Sequence, residues 1–298
     1  MLLSECVDSL VTDGDGCYID CTVGTGGHTA RLLDRTSPRG QVLGIDADPD
    51  AIRVAGQRLE PYAHRLHLVN DSFGRLEAIC REHGLAPVDG ILLDLGLSSA
   101  QLADPGRGFS FTQDGPLDMR FAPKQSRSAA DIVNTSSEAE LASILRRYGE
   151  ERFSSAIARR IVAARPVETT GQLAQIIEQV RGRRGRIHPA TRTFQALRIA
   201  VNGELDNLEM ALPQAVNLLR PGGRLAVMSY HSLEDRLVKT FFSRESKDCL
   251  CPPGVPVCAC GHRATVKLVV RKPITPSLPE RRANPRSRSA RLRVAERL

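Results

Sequence analysis

Residues 17–28 read Cys-Tyr-Ile-Asp-Cys-Thr-Val-Gly-Thr-Gly-Gly-His, a short apolar run followed by a glycine-rich loop. Such a run is typical of a buried strand. After the loop, residues 28–35 have the pattern of a helix, which ends before Pro38. Further apolar runs predict strands at 41–46, 66–69 and 88–95, each separated from the next by a helical pattern. Strands that alternate with helices in this way indicate an α/β domain with a doubly wound, mostly parallel sheet.

The strand-and-helix alternation stops after the fourth strand. Between residues 100 and 202 the pattern is helical, with predicted helices at 138–148, 152–164, 170–180 and 191–201. The alternation resumes with a helix at 205–219, a Pro-Gly-Gly turn at 221–223 and a strand at 224–230. We therefore predict three parts: residues 1–103 as the first part of the α/β domain, 104–202 as an inserted helical subdomain that recognises the substrate, and 203–298 as the second part with a basic tail.

The composition is that of a globular protein, with 41% hydrophobic and 25% charged residues in a chain of 298. Its eight cysteines include four that are scattered along the chain, which favours reduced thiols over a disulfide framework. The sequence has no apolar run long enough to cross a bilayer, and its start lacks the features of a signal peptide. We therefore expect a cytoplasmic protein that does not bind membranes.

The net charge of +7 is concentrated in the tail. Basic residues far outnumber acidic ones in residues 271–298, while the rest of the chain is balanced. A basic tail favours contact with a polyanion such as nucleic acid, although a solvated surface is the plainer alternative. Within the tail, Ala290, Leu292 and Val294 alternate with more polar positions, which predicts an edge strand.

Ligands of doubly wound sheets bind at the carboxyl ends of the strands, so the residues there are candidates for a binding site. The glycine loop lacks the third small residue of a dinucleotide fingerprint, because position 29 is Thr29. Asp46 ends the second predicted strand, where a carboxylate can accept both ribose hydroxyls. Phe73 follows the third strand, where its ring can lie beside adenine, and Asp94 lies at the end of the fourth. Together these positions predict a nucleoside-containing ligand and favour S-adenosylmethionine over a dinucleotide.

The sequence contains several long and unusual strings. They include Leu-Asp-Leu-Gly-Leu-Ser-Ser-Ala-Gln at 93–101, Gly-Pro-Leu-Asp-Met-Arg at 115–120, Thr-Arg-Thr-Phe-Gln-Ala-Leu-Arg at 191–198, Ser-Tyr-His-Ser-Leu-Glu-Asp-Arg at 229–236 and Asn-Pro-Arg-Ser-Arg-Ser-Ala at 284–290. These strings resemble one family, the bacterial 16S rRNA (cytosine-N(4)) methyltransferases of the MraW or RsmH type. The resemblance implies a class I S-adenosylmethionine-dependent methyltransferase fold with a helical insertion. It further implies methylation of the 4-amino group of a cytidine in the 16S rRNA of the small ribosomal subunit, near the decoding centre.

The resemblance also implies the cofactor contacts. It assigns Gly26, Gly27 and His28 to the methionine portion, Asp46 to the ribose and Phe73 to the adenine, with Asp94 and Gln101 closing the site. Gln101 comes from the resemblance alone. One departure lies at the start, where family members usually carry His-x-Pro-Val before Leu-Leu-x-Glu and this chain has only Met1. That leaves open what such a segment would contribute to a lid over the cofactor.

The proposed acceptor, the 4-amino group of cytosine, is a weak nucleophile because its lone pair is delocalised into the ring. Side chains that accept its protons and align it with the methyl group can supply much of the rate. We expect the amino-proton acceptor among Asp94, Ser98 and Asp118. Asp118 has a structural alternative, which is to pair with Arg120. The reaction needs no metal, and we assign none to the site.

Base-positioning groups are expected among Ser229, Tyr230 and His231, with His231 also open to a role as a helix cap or loop hydrogen-bonding residue. The target cytosine must leave any stack to reach the methyl group. Arginines of the helical insertion then become candidates for phosphate contacts. They are residues 181, 183, 184, 186, 192 and 198.

Four cysteines form two closely spaced pairs, Cys249-x-Cys251 and Cys258-x-Cys260. Two such arms can surround a tetrahedral zinc ion in a structural site, while reduced thiols that pack a loop are the alternative, and the resemblance does not require a metal. Two other functions also stay open. One is the same chemistry on DNA or another RNA, and the other is a ribosome-assembly factor without catalysis.

Overall fold

The computed structural model describes residues 1–182, 188–252 and 257–298. Within these ranges the chain divides into one unit of residues 1–96 and 206–298 and a second unit of residues 97–205. The sequence predicts the inserted subdomain at 104–202. Three of the candidate phosphate-binding arginines, at positions 183, 184 and 186, lie outside the described residues. No helix within the described ranges combines the length and apolarity needed to span a membrane.

The first unit is built on a seven-stranded sheet with the order β3-β2-β1-β4-β5-β7-β6. The strands are β1 Cys17–Asp20, β2 Gln41–Asp46, β3 Leu66–Asn70, β4 Val88–Asp94, β5 Leu219–Ser229, β6 Val266–Leu268 and β7 Arg291–Arg297. Strands β1 to β5 are parallel, and β7 is antiparallel to both β5 and β6. The strand order reverses between β1 and β4, which places a ligand crevice at their carboxyl ends. This is the class I S-adenosylmethionine-dependent methyltransferase fold.

The helices of the chain are α1 Leu3–Leu10, α2 Gly27–Arg35, α3 Pro49–Arg58, α4 Leu76–Glu82, α5 Ser99–Ala103, α6 Ala129–Thr135, α7 Glu138–Gly149, α8 Ser154–Ala163, α9 Thr170–Arg181, α10 Thr191–Asn202, α11 Glu204–Leu218, α12 Ser232–Glu245 and α13 Leu278–Ala283. The sequence predicts a helix from Phe73 to about His83, but this stretch begins as a short 3₁₀ helix, Phe73–Arg75, before α4. Helix α3 shows why its boundary could be read from the sequence. Pro49 occupies its first turn, and the Asp48 side chain accepts a hydrogen bond from the Asp50 amide at 3.0 Å.

Apolar residues cover both faces of the sheet. Consecutive strand residues such as Leu92 and Leu93 belong to two different buried clusters, one on each face. Successive side chains of a strand point to opposite faces, so a strand covered on both sides must be apolar throughout. This explains why the parallel strands appear in the sequence as continuous apolar runs rather than alternating ones.

Strand β7 corrects one sequence prediction. The tail is not an edge strand, because β7 pairs with β5 on one side and β6 on the other. The alternation around Leu292 and Val294 reflects burial of one set of side chains in the core. Two of the intervening arginines are ordered by Asp235, which accepts from Arg291 at 2.6 Å and from Arg293 at 2.7 Å. Part of the positive tail charge is therefore neutralised within the fold.

Strand β5 starts earlier than predicted. The Pro-Gly-Gly sequence at 221–223 lies inside the strand rather than before it, and the register against β4 shifts between Val88 and Gly90. An irregularity of this kind accommodates extra residues without ending the strand.

The second unit is helical and has its own apolar core. Leu141, Leu145, Ile157, Ile161 and Leu173 are all buried in it. Reciprocal capping boxes start α6, α7 and α9, each with Ser or Thr at the cap and an acidic or amide side chain three residues later. Among the described residues of this unit, the β pairing is limited to an isolated bridge between Pro116 and Thr169.

Candidate active site at the carboxyl ends of the strands

The glycine loop after β1 leaves open space beside the start of α2. Gly26 precedes the helix with φ 80°, and a Cβ there would meet Leu59 at 3.0 Å. The left-handed backbone and the close neighbour together require glycine at this position. At Gly27, by contrast, no atom lies within 4 Å of where a Cβ would stand. A ligand can therefore approach the backbone closely at the amino end of α2.

Asp46 links this loop to the next strand end. Its carboxylate accepts a hydrogen bond from the Gly24 amide at 2.8 Å and another from the Asp48 amide at 2.9 Å. Burial raises its pKa to about 6, although those two amides favour the charged form. A carboxylate has about four acceptor positions, so capacity is left for the two hydroxyls of a ribose.

Asp94, at the end of β4, is held by two side chains from distant parts of the chain. One carboxylate oxygen accepts from the Tyr230 hydroxyl at 2.7 Å, and the other lies 3.2 Å from His28 Nδ1. Its backbone amide donates to the Thr22 hydroxyl at 2.7 Å. The carboxylate is therefore fixed in orientation, while its hydrogen bonds with the described residues leave part of its acceptor capacity for a ligand.

The environment of this cluster raises the pKa values of its two donors, Tyr230 and His28. Burial raises the pKa of Tyr230, and the nearby charge of Asp94 raises it further, so the hydroxyl stays a donor. Burial lowers the pKa of His28, but its hydrogen bond to Asp94 and the charge of that residue outweigh this effect and raise the pKa above its ordinary value. A protonated His28 would stabilise the negative charge of Asp94.

Sequence reasoning assigned no role to Asp20, which the structure places under the same loop. Asp20 is fully buried and accepts from the Thr29 hydroxyl at 2.7 Å and the Thr22 amide at 3.1 Å. Burial raises the pKa of this carboxyl above its ordinary value. Thr29, read from the sequence only as a missing glycine, thus anchors α2 to the end of β1. A carboxylate at the end of the first strand was the one signal that could have revealed this role.

Phe73 follows β3, as predicted, and begins the 3₁₀ helix there. The end of β3 is joined to that of β2 because Asn70 and Asp71 both donate to the backbone oxygen of Asp46, at 2.9 and 3.1 Å. The Phe73 side chain is half-buried against the core of the first unit. Its contact with adenine stays a prediction.

Ser98, Gln101 and Asp118 belong to the second unit, and each has a local structural task. Ser98 caps α5 by accepting from the Gln101 amide at 3.1 Å, and the Gln101 side chain accepts from the Ser98 amide at 3.0 Å. Asp118 binds Arg120 through both oxygens, at 2.9 and 2.7 Å. Burial raises the pKa of Asp118, but Arg120 outweighs it and the net shift is downward. This ion pair is the structural alternative noted for Asp118 in the sequence.

His231 caps helix α12. Its Nδ1 accepts from the Glu234 amide at 3.3 Å, while the Glu234 carboxylate accepts from the amides of Tyr230 and His231 at 2.8 and 3.2 Å. The capping alternative left open by the sequence is therefore present. The Glu234 carboxylate of this cap also holds the backbone amide of Tyr230, whose hydroxyl contacts Asp94.

Two of the arginines expected to contact RNA are occupied within the second unit. Arg181 lies 3.1 Å from the buried carboxylate of Glu151, and Arg198 forms a two-pronged pair with Glu204 at 2.8 and 2.9 Å. Their charges are already balanced, which makes them poor candidates for phosphate contacts. Arg192 is exposed and donates only to a backbone oxygen, that of Glu150, at 3.2 Å among its described hydrogen bonds.

Comparisons with known proteins match the whole chain to the family that its sequence motifs resemble. The family model of the MraW methylase family matches residues 1–298. The chain is 54% identical over 299 residues to the ribosomal RNA small subunit methyltransferase H of Dehalococcoides mccartyi strain 195, covering 100% of this chain and 86% of that protein. It is 57% identical over 302 residues to the protein of the same description from Thermomicrobium roseum, covering 100% and 93%.

Sequence identity to solved structures is much lower. An rRNA methylase from Streptococcus thermophilus is 13% identical, with a TM-score of 0.44 over 99% of this chain and 93% of that one. The family assignment therefore rests on the sequence matches, which extend over every strand end described above. The chain belongs to the MraW methylase family.

Proposed function

We propose that this protein transfers the methyl group of S-adenosylmethionine to the 4-amino group of a cytidine in 16S rRNA of the small ribosomal subunit. The observation that carries the proposal is the Asp94 carboxylate, held between His28 and Tyr230 at the end of β4. The description of the relatives as ribosomal RNA small subunit methyltransferases supports the substrate class.

The residues at the strand ends fit S-adenosylmethionine. The open space at Gly27 suits the methionine portion, and Asp46 can accept the ribose hydroxyls. The Thr29 hydroxyl donates to Asp20, so this side chain occupies a position that a dinucleotide site leaves to a small residue. When bound, S-adenosylmethionine supplies a methyl group on a positively charged sulfur.

In the proposed mechanism, Asp94 acts on the acceptor base. A free acceptor position of its carboxylate takes a hydrogen bond from the cytosine amino group, which turns the nitrogen lone pair toward the methyl group. Attack of the amino nitrogen on the methyl group would leave the electron pair of the carbon–sulfur bond on sulfur, and the surplus proton on nitrogen would pass to Asp94 or to water. Tyr230 and His28 prevent the carboxylate from rotating, so they act as positioning residues.

The proposal is tested by transfer of labelled methyl from S-adenosylmethionine to three acceptors: small ribosomal subunits that lack the modification, naked 16S rRNA, and DNA. After digestion to nucleosides, we expect the label in N4-methylcytidine from the ribosomal substrates. Label found only on DNA would mean that DNA, and not rRNA, is the substrate. Cofactor binding without transfer to any acceptor would favour an assembly factor that does not catalyse.

Cofactor binding should weaken in acid because Asp46 becomes neutral. Its pKa of about 6 means that protonation removes charge and acceptor capacity below that pH, and proton uptake then favours the unbound protein. We expect a constant affinity above about pH 7 and a fall of up to about tenfold per pH unit below 6. Titration calorimetry at several pH values measures this dependence.

The matched control for this pH effect is Asp46→Asn, which cannot titrate at this position. His28 titrates in both proteins, so the difference between their pH profiles isolates Asp46. The expectation fails if the wild-type affinity for S-adenosylmethionine is the same at pH 5 and pH 8.

Exposed arginines of the tail should contribute most of the salt-dependent affinity for rRNA. Arg282, Arg286 and Arg288 are exposed, whereas the following arginines, Arg291 and Arg293, pair with Asp235. Replacing the three exposed arginines by glutamine should weaken binding to 16S rRNA about tenfold or more. It should also reduce the slope of log affinity against log salt by about 2 to 3. Each phosphate contact that is lost lowers the number of counterions that binding releases from the RNA.

The control carries the same change of charge elsewhere. Arg35, Arg39 and Arg81 are also exposed, and they lie near the amino ends of the strands, opposite the site. Filter binding at a series of salt concentrations should give nearly wild-type affinity and slope for their triple glutamine variant. Equal losses in both triple variants would show that the tail has no special role.

A further inference from the structure

Four cysteine thiols converge in the segment between α12 and β6. The sulfur atoms of Cys249, Cys251, Cys258 and Cys260 all lie within 4.8 Å of one another. Three of the separations are 3.4 Å for Cys249 and Cys258, 3.5 Å for Cys258 and Cys260, and 3.9 Å for Cys249 and Cys260. All four are free cysteines.

These separations match the edges of a tetrahedron around a metal ion. A zinc–sulfur bond of about 2.3 Å places tetrahedral ligand atoms about 3.8 Å apart, within the range of the three observed values. A disulfide needs sulfur atoms only about 2.05 Å apart. The cluster therefore has the dimensions of a four-thiolate site rather than of two crosslinks.

Backbone amides point at the sulfur atoms. The Leu250 amide donates to Cys260 Sγ at 3.3 Å, and the Cys251 amide donates to Cys249 Sγ at 3.4 Å. Donors of this kind stabilise the thiolate, which is the form that binds metal, and they orient the ligands. Because Leu250 lies within the first pair and donates to the second, the two arms are also tied to each other.

Among the described residues of this segment, hydrogen bonds rather than apolar packing hold the chain. Cys249, Cys258 and Cys260 are exposed, and Val257 beside them is 76% exposed, so the arms bury little apolar surface of their own. At the base of the segment, Thr265 donates to the backbone and side-chain oxygens of Glu245, at 2.8 Å each. Thr265 directly precedes the edge strand β6, so a crosslink among the four thiols would secure this edge of the sheet.

We propose that Cys249, Cys251, Cys258 and Cys260 bind one zinc ion in a closed structural site. Four protein ligands complete the tetrahedron and leave no position for substrate or water, so the ion takes no part in methyl transfer. Its role is to fix the segment between α12 and β6, as small metal-bound loops without a hydrophobic core do.

The first test is the metal content of the full-length protein after expression in zinc-supplemented medium. Mass spectrometry of the metals should find about one zinc per chain in the wild type and in the control Cys17→Ser, which changes a half-buried cysteine outside the cluster. The variant C249S/C260S should hold at least tenfold less. Cobalt added to the metal-free wild type should give the absorption of tetrahedral cobalt–thiolate, and the double variant should not.

A second test uses the wild type alone, so it does not depend on how the variants fold. Removing zinc with a chelator should sharply increase alkylation of the four clustered cysteines, while the buried Cys6, Cys21 and Cys80 stay unreactive. Hydrogen exchange should rise at Val266–Leu268. The proposal is overturned by a zinc content below about one tenth per chain without a cobalt spectrum, by iron as the bound metal, or by alkylation that the chelator does not change.

Discussion

Replacing Asp94 by alanine is expected to lower the rate of methyl transfer to the small ribosomal subunit by about 10²- to 10⁴-fold, the usual range for a group that handles a proton in the transition state. The loss follows from the proposed role of this carboxylate as the acceptor for the cytosine amino group. Single-turnover transfer at saturating S-adenosylmethionine measures the effect on the chemical step, separately from cofactor affinity.

The alanine variant also removes the acceptor of the Tyr230 hydroxyl and the partner of His28. A buried donor left without a partner costs about 1–3 kcal/mol of stability, so the unfolding free energy must be measured alongside the rate. Asp94→Asn preserves the volume, but its amide nitrogen cannot accept a hydrogen bond. We expect it to lose activity almost as completely while retaining more stability.

Tyr230→Phe distinguishes positioning from direct catalysis. Its hydroxyl reaches the base only through Asp94, so the loss of rate should be much smaller than for Asp94→Asn, with little change in KM. Asp8→Ala serves as the surface control, since this carboxylate pairs with Arg35 at the protein exterior. If Asp94→Asn transfers methyl groups at nearly the wild-type rate, another residue accepts the amino proton.

The second large effect is expected from Asp46→Ala, which should weaken S-adenosylmethionine binding by about 100-fold or more. Hydrogen bonds to a charged group contribute about 1.5–3 kcal/mol each, and the ribose offers two hydroxyls to this carboxylate. Titration calorimetry at neutral pH measures the dissociation constant.

Asp46 also accepts from the amides of Gly24 and Asp48, so some of the loss could come from a displaced loop. Asp48→Ala is the matched control, because it changes the adjacent carboxylate, which caps α3. That variant should lose about 1 kcal/mol of stability and keep a nearly wild-type affinity. Similar losses of affinity in the two variants would argue against a ribose contact through Asp46.

Local patterns were enough to predict the main elements and the places of Asp46 and Asp94 at strand ends. Strand β2 was predicted with the bounds observed, 41–46, because a strand buried on both faces is apolar until polar residues end it. The same reasoning placed Asp46 and Asp94 at strand ends, where a doubly wound sheet gathers its ligand-binding residues. Prediction was less accurate after β3. The α-helix predicted to start at Phe73 begins instead as a short 3₁₀ helix.

The sequence by itself thus determined the fold class, the helical insertion, the positions of the strand ends and, through its long motifs, the family. Only the tertiary structure decided that Tyr230 and His28 meet at Asp94, that β6 pairs with the outer edge of β7, and that His231 caps a helix. Tyr230 and Asp94 are 136 positions apart in the chain, and their contact depends on β5 lying next to β4. Hydrophobic periodicity records which side of a strand is buried, but the order in which distant strands pair is set by packing of the whole sheet.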